Sequence, residues 1–253
     1  MAAIDRGWTH LSAGRWQAAI AEFDQAIAEE STASRAHVGR AIALRQTGDF
    51  DEALRELQRA IARDPRSALA YHERGAMYAS QGWFPEALRD LDRSIDLEPS
   101  AKALTDRGGV LSKLGRSADA VADLRRATTM DPQLAAAHFN LGAVLASTGQ
   151  VRDSVPALRR SRELGFEQAG PALERALQEL YVAASEDGSM GLAVESLLDA
   201  RSQVDLQEAL DRFPFMALPE FLDSVRNTVR SLPPQTHPGL LQRIEVLQRL
   251  AAR

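Results

Sequence analysis

Five glycines, Gly14, Gly48, Gly82, Gly115 and Gly149, stand 34, 34, 33 and 34 residues apart. This spacing constrains the chain more than any other feature. A unit of about 34 residues is too small to bury its own apolar face and must stack on copies of itself. Each glycine follows a stretch of helical periodicity, where a positive φ ends a helix without strain on a side chain. The expected product is an all-α stack of helix-turn-helix units.

Other columns run in register with the glycines. Seven residues before each stands Gly7, Ala41, Gly75, Gly108 or Gly142. Five residues after come Ala19, Ala53, Ala87, Ala120 and Ser154, then Phe23, Leu57, Leu91, Leu124 and Leu158, then Ala26, Ala60, Ser94, Ala127 and Ser161. Pro65, Pro99 and Pro132 close three of the units, and Trp16, Phe50 and Phe84 open the second helix in the first three. The small residues let the two helices of a unit approach, the Phe/Leu column fills the gap between them, and proline forbids continuation. These columns resemble the tetratricopeptide repeat, with units at 1–33, 34–67, 68–100, 101–134 and 135–168. The resemblance implies a right-handed α-solenoid of antiparallel helix pairs over 1–184, capping helix included.

A charge pattern follows the same register. Arg6, Arg40, Arg74 and Arg107 each recur with an acid, Glu22, Glu56, Asp90 or Asp123. In the fifth unit Leu141 and Ala157 replace both members. Joint loss predicts an ion pair between the first helix (helix A) and the second (helix B) of each unit.

Past Gly165 the ladder stops. Residues 171–184 read as one amphipathic helix opened by Pro171 at its first position, and 185–189 as a polar linker. Helices are expected near 190–201, 204–213, 218–231 and 238–252, with Ser202 and Asp205 as an N-terminal cap and Pro219 and Pro238 at helix starts. Residues 190–253 thus form a C-terminal helical module. They resemble a small module found beside repeats in large bacterial signalling and protease-associated proteins. Its densest apolar run, 213–221, supplies Phe213, Phe215, Met216 and Phe221, either as core or as a docking patch.

Composition narrows the function. Net charge is −5, which disfavours nucleic acid, since phosphate binding needs a basic face. Cysteine is absent, removing disulfides, thiolate metal sites and cysteine nucleophiles. No apolar run reaches membrane-spanning length and no signal peptide is visible, so a cytoplasmic setting without membrane is expected. Arginine outnumbers lysine 28 to 2, and alanine is abundant, as in GC-rich bacterial genomes. Among His10, His37, His72, His138 and His237 no pair has metal-ligand spacing; His37 and His138 share one repeat position and are expected to pack. No catalytic motif stands in a plausible context, so no catalytic residue, metal or cofactor is expected.

The family lines its concave groove with helix A. Carried onto this sequence, that face holds Val38, Ile42, Arg45, His72, Ala76, Thr105, Lys113, Phe139 and Asn140. It also holds Trp8, Leu11, Arg35, Leu69, Glu73, Lys102, Asp106 and Gly109, which give it mixed charge. The expected activity is non-catalytic binding of a protein or peptide segment in that groove. The alternative is a regulatory or sensor subunit whose C-terminal module docks an effector enzyme.

Overall fold

The computed structural model describes residues 2–29, 33–200, 202–231 and 239–251. The described residues are helical throughout, joined by turns and without strands. The chain forms two compact units, Met1–Asp131 and Pro132–Arg253.

The first unit contains four helix pairs: α1 (Ala3–Ser12) with α2 (Trp16–Ala28), α3 (Ala33–Thr47) with α4 (Phe50–Arg63), α5 (Ala68–Ser80) with α6 (Phe84–Leu97), and α7 (Ala101–Lys113) with α8 (Ser117–Met130). Each helix A ends as the glycine ladder predicts. Gly14, Gly48, Gly82 and Gly115 have φ of +70°, +88°, +78° and +76°. The amide after each glycine then returns to a carbonyl five residues back. The bonds are Arg15 to His10, Asp49 to Leu44, Trp83 to Tyr78 and Arg116 to Leu111, each 2.9 Å. This is the closure that satisfies orphan carbonyls at a helix end. Helix starts are capped by side chains where the sequence allows: Ser67 accepts from the Ala70 amide, and Ser100 from that of Ala103.

Between the helices of a pair, the small column meets the Phe/Leu column. A Cβ on Gly75 would stand 2.9 Å from Leu91 Cγ, and one on Gly108 2.7 Å from Leu124 Cγ. Leu57, Leu91 and Leu124 are fully buried. The expected ion pairs form across the same seam. Arg6 reaches Glu22 at 2.7 Å, Arg74 grips Asp90 with Nε and Nη2 at 2.6 and 2.8 Å, and Arg107 grips Asp123 likewise. Arg40 lies 3.2 Å from Glu56, and Arg59 and the buried His37 share that carboxylate, His37 Nδ1 at 2.5 Å. Two of these arginines also reach back one repeat, Arg40 to Asp24 and Arg107 to Asp92, both at 2.7 Å. The column therefore ties helix A to helix B in each of the first four repeats and ties the second repeat to the first and the fourth to the third.

The second unit begins with the fifth pair, α9 (Ala135–Ser147) and α10 (Val151–Glu163), closed at Gly149 with φ +79° and the Gln150-to-Leu145 bond at 2.9 Å. His138, unlike His37, stays partly exposed and lies 3.2 Å from the Pro132 carbonyl oxygen. Then come α11 (Ala169–Asp187), α12 (Ser189–Asp199), α13 (Gln203–Arg212), a 3-10 turn (Pro214–Ala217), α14 (Pro219–Ser231) and α15 (Leu240–Ala251). One core runs from Val151, Val155 and Leu158 on α10 through Leu173 and Leu177 on α11 to Leu210, Phe221, Ile244 and Leu247.

Two local expectations change. The supposed linker at 185–189 is mostly helix: α11 runs to Asp187, Gly188 alone turns the chain with φ +80°, and α12 starts at Ser189. Ser185 stays in the helix by donating its hydroxyl to the Val182 carbonyl at 2.6 Å. Pro171 is the third residue of α11 rather than the first, a position whose amide also lacks a helical acceptor. Pro238 and His237 lie outside the described residues. The Ser202–Asp205 cap forms in both directions, at 3.1 and 2.9 Å.

Candidate partner-binding face

In the first unit the A helices α1, α3, α5 and α7 stand side by side and present one face. Repeat register brings the same helix position to that face every 34 or so residues, so its side chains form short rows.

The rows separate into buried, paired and free groups. Val38 and Thr105 are 1% and 4% exposed, and the Thr105 hydroxyl turns back to the Ala101 carbonyl at 2.7 Å. They belong to the packing beneath the face and offer a partner no surface, which corrects their assignment as lining residues. Ile42 is half-buried against the core around Val38, Ala41 and Leu57. Arg45 pairs with Glu73 on the next A helix at 3.1 Å. His72 Nε2 lies 2.8 Å from Asp106 Oδ2 on α7, with its Nδ1 3.8 Å from Glu73. These contacts stitch α3, α5 and α7 together across the face, so both of its carboxylates on α5 and α7 already have partners.

What stays free is cationic. Lys102 and Lys113, the only lysines in the chain, are both exposed on α7 with no ion pair among the described residues. Arg35 lays its guanidinium over the Trp8 ring, 5.5 Å from the centroid, and Trp8 in turn meets Phe23 edge-on at 5.6 Å. Ala76 and Gly109 form the part-buried floor between. At the N-terminal rim of α3 and α5 lies a cleft of about 660 Å³, lined by Arg35, Arg63, Arg66, Ser67 and Leu69 among others. Arg63 and Arg66 sit at the turn between α4 and α5, outside the helix-A rows, so repeat register gave no reason to name them.

In the second unit Phe139 and Asn140 are part-buried on α9. Phe139 stacks on Phe166 with centroids 4.9 Å apart and packs against the core, so part of its ring serves the fold. The two readings of the 213–221 run are resolved in favour of packing. Phe213, Phe215, Met216 and Phe221 are all buried, with Phe215 at the hub, 6.0 Å from Phe213, 5.7 Å from Phe221 and 6.1 Å from Tyr181. Four apolar side chains so close in sequence leave water together once α11, α13 and α14 surround the 3-10 turn, and their burial contributes to holding that arrangement.

Among the described residues no three His, Cys, Asp or Glu side chains gather as a metal-ligand group, and no helix is long and apolar enough to cross a membrane.

A tetratricopeptide repeat family model matches residues 4–68, 38–102 and 105–171. No curated protein matches the sequence. Solved structures share the fold at low identity. A tetratricopeptide repeat protein of Thermus thermophilus, TTC0263, aligns with a TM-score of 0.58 and 21% identity, over 70% of this chain and 97% of its own. Yeast Tom70 aligns at 0.58 and 17% identity, over 69% of this chain and 39% of its own. MamA aligns at 0.53 and 19%, over 65% and 96%.

Proposed function

This chain belongs to the tetratricopeptide repeat family, and from that premise we propose that it is a non-catalytic adaptor, holding a segment of a partner protein against its helix-A face. The observation that carries the reading is the division of charge on that face. The fold's own ion pairs absorb Arg45, Glu73, His72 and Asp106, while Lys102, Lys113 and Arg35 have no acid partner among the described residues and border a floor of Ala76 and Gly109. Small floor residues leave room for incoming side chains, and a few anchors rather than total area set affinity. We assign this role to residues 1–184 and treat 190–253 as an attached helical module.

The test is site-specific photo-crosslinking in the native host. A photoreactive side chain replaces Ala76 on the face, Arg89 on the outer side of α6, or Val204 on α13. Arg89 and Val204 are both exposed. The adaptor reading expects a discrete crosslinked protein from Ala76 and none from Arg89. Crosslinks from Val204 alone would favour the C-terminal module as the docking element instead.

A further inference from the structure

We propose that the cleft at the first turns of α3 and α5 takes an acidic, extended segment of the partner, its carboxylates on Arg35, Arg63 and Arg66 and an apolar side chain against Leu69. The proposal rests on the adaptor reading and names the class of segment. The cleft is large enough, at about 660 Å³, for several side chains. Its floor is apolar: Leu69 leaves 42% of its surface exposed, an unusual figure for a leucine on an A helix of this chain.

Charge selects the occupant. The chain is acidic overall, and within the first unit Arg6, Arg40, Arg45, Arg74 and Arg107 all meet acids of the fold. Arg63 and Arg66 are exposed and have no ion-pair partner among the described residues. Arg35 lies against the face of Trp8, which leaves its N–H edge open to an acceptor. Two carboxylates also line the cleft. Asp64 Oδ1 accepts from the Arg66 amide at 2.9 Å within its own turn, and Glu98 is the second, so arginines outnumber acids three to two. The start of α5 adds to the same sign, because the amides of the first helical turn lack helical acceptors and carry the positive end of the helix dipole. Lys102 continues the Arg35–Leu69 row onto α7, so a segment leaving the cleft along the face meets further unpaired positive charge. A guanidinium can hold a carboxylate through two parallel bonds, which favours acidic side chains over isolated carbonyls.

The probes are three labelled peptides of one length with amidated C-termini, alternating leucine with Glu, Gln or Lys, titrated by anisotropy into the full chain. The Glu peptide is expected to bind at least about tenfold more tightly than the Gln peptide and to weaken as salt rises, while the Lys peptide binds weakest. Arg63→Glu with Arg66→Glu should cost about tenfold or more, and Glu98→Gln should strengthen binding about two- to threefold. Circular dichroism melts check that these exposed changes leave the fold intact. Equal affinity for the Glu and Gln peptides, no binding by any peptide, or Glu-peptide binding that survives the double charge reversal would each overturn the proposal. Crosslinking from Ala76 without charge discrimination leaves the adaptor role standing and removes only this occupant; absent Ala76 crosslinks remove the adaptor reading itself.

Discussion

The ring of Phe23 occupies the space that a methyl group on Gly39 would need: a Cβ built there would lie 2.6 Å from Phe23 Cε1, the same distance as from a Cβ on Gly7. Phe23 is thus clamped between the A helix of its own repeat and that of the next. The following repeats have Leu57 and Leu91 at the Phe23 position, and Glu73 and Asp106 at that of Gly39. Gly39→Ala should therefore destabilise the chain by about 1–3 kcal/mol, and Phe23→Leu should recover part of that loss in the double variant. Denaturant midpoints of the four proteins measure the coupling, and strict additivity would mean the ring and the glycine do not share one space.

Gly82 and Gly108 are needed for different reasons. Gly82 has φ +78° with nothing within 4 Å of an added Cβ, so its constraint is the backbone alone. Gly108 lies in a helix, and its constraint is Leu124. Gly82→Ala should cost about 1–2 kcal/mol whatever its neighbours are, and Gly82→Val at least as much. Gly108→Ala should cost a similar amount but be relieved by shortening Leu124. Melting temperatures of the single and combined variants distinguish the two cases.

Arg74→Leu should destabilise by about 3 kcal/mol, because Asp90 is almost wholly buried and loses both of its bonds. Arg74→Leu with Asp90→Ala should be closer to wild type than Arg74→Leu alone. A double-mutant cycle without coupling would show that the recurring Arg–acid column contributes nothing as a pair.

The hydrogen bond from Arg6 holds the Glu22 carboxyl below its ordinary 4.5, against the opposing effect of burial. Glu52 is lowered likewise, chiefly by Arg55. A carboxyl lowered in the folded state contributes stability that is full above its unfolded value and is lost as pH falls through the folded one. Stability should therefore decline below pH 4.5, and Glu22→Gln should make that decline shallower without changing its course at neutral pH. Urea midpoints across the acid range check this; identical profiles for both proteins would refute it.

Pro156 lies inside α10, exposed, at a position where its ring denies the Arg152 carbonyl a helical donor. Pro156→Ala should raise stability by about 1–3 kcal/mol, read as a higher melting temperature. An unchanged value would mean that the helix has already adjusted its hydrogen bonding around the ring.

Repeat register made the helix pairs, their glycine closures and the Arg–acid column legible in the sequence, because each of those features depends on neighbours at fixed offsets. It left unread whatever depends on one repeat differing from the rest. Gly39 answers a single phenylalanine, Phe139 finds Phe166 past the last helix B, and Arg63 and Arg66 border the cleft from a turn. The face also reads as mixed in sign from residue names alone. Only the distances between neighbouring A helices reveal that Glu73 and Asp106 are already partnered, whereas Lys102 and Lys113 have no ion pair among the described residues. The module after Gly165 has no repeat register, so its helices are legible only through caps and prolines, and the single-glycine turn at Gly188 reads from sequence as a longer linker.

Arrays of this kind lengthen in evolution by copying a unit and slotting the copy beside its parent. Here α11 covers α10 and shares its core with helices that have no repeat register, so the edge where another copy would dock is already occupied. A duplicated unit could be inserted between existing repeats but not appended after the fifth without rebuilding everything from Ala169 onward. The number of repeats on that side is consequently fixed by the architecture, and variation among descendants should appear as internal gains and losses.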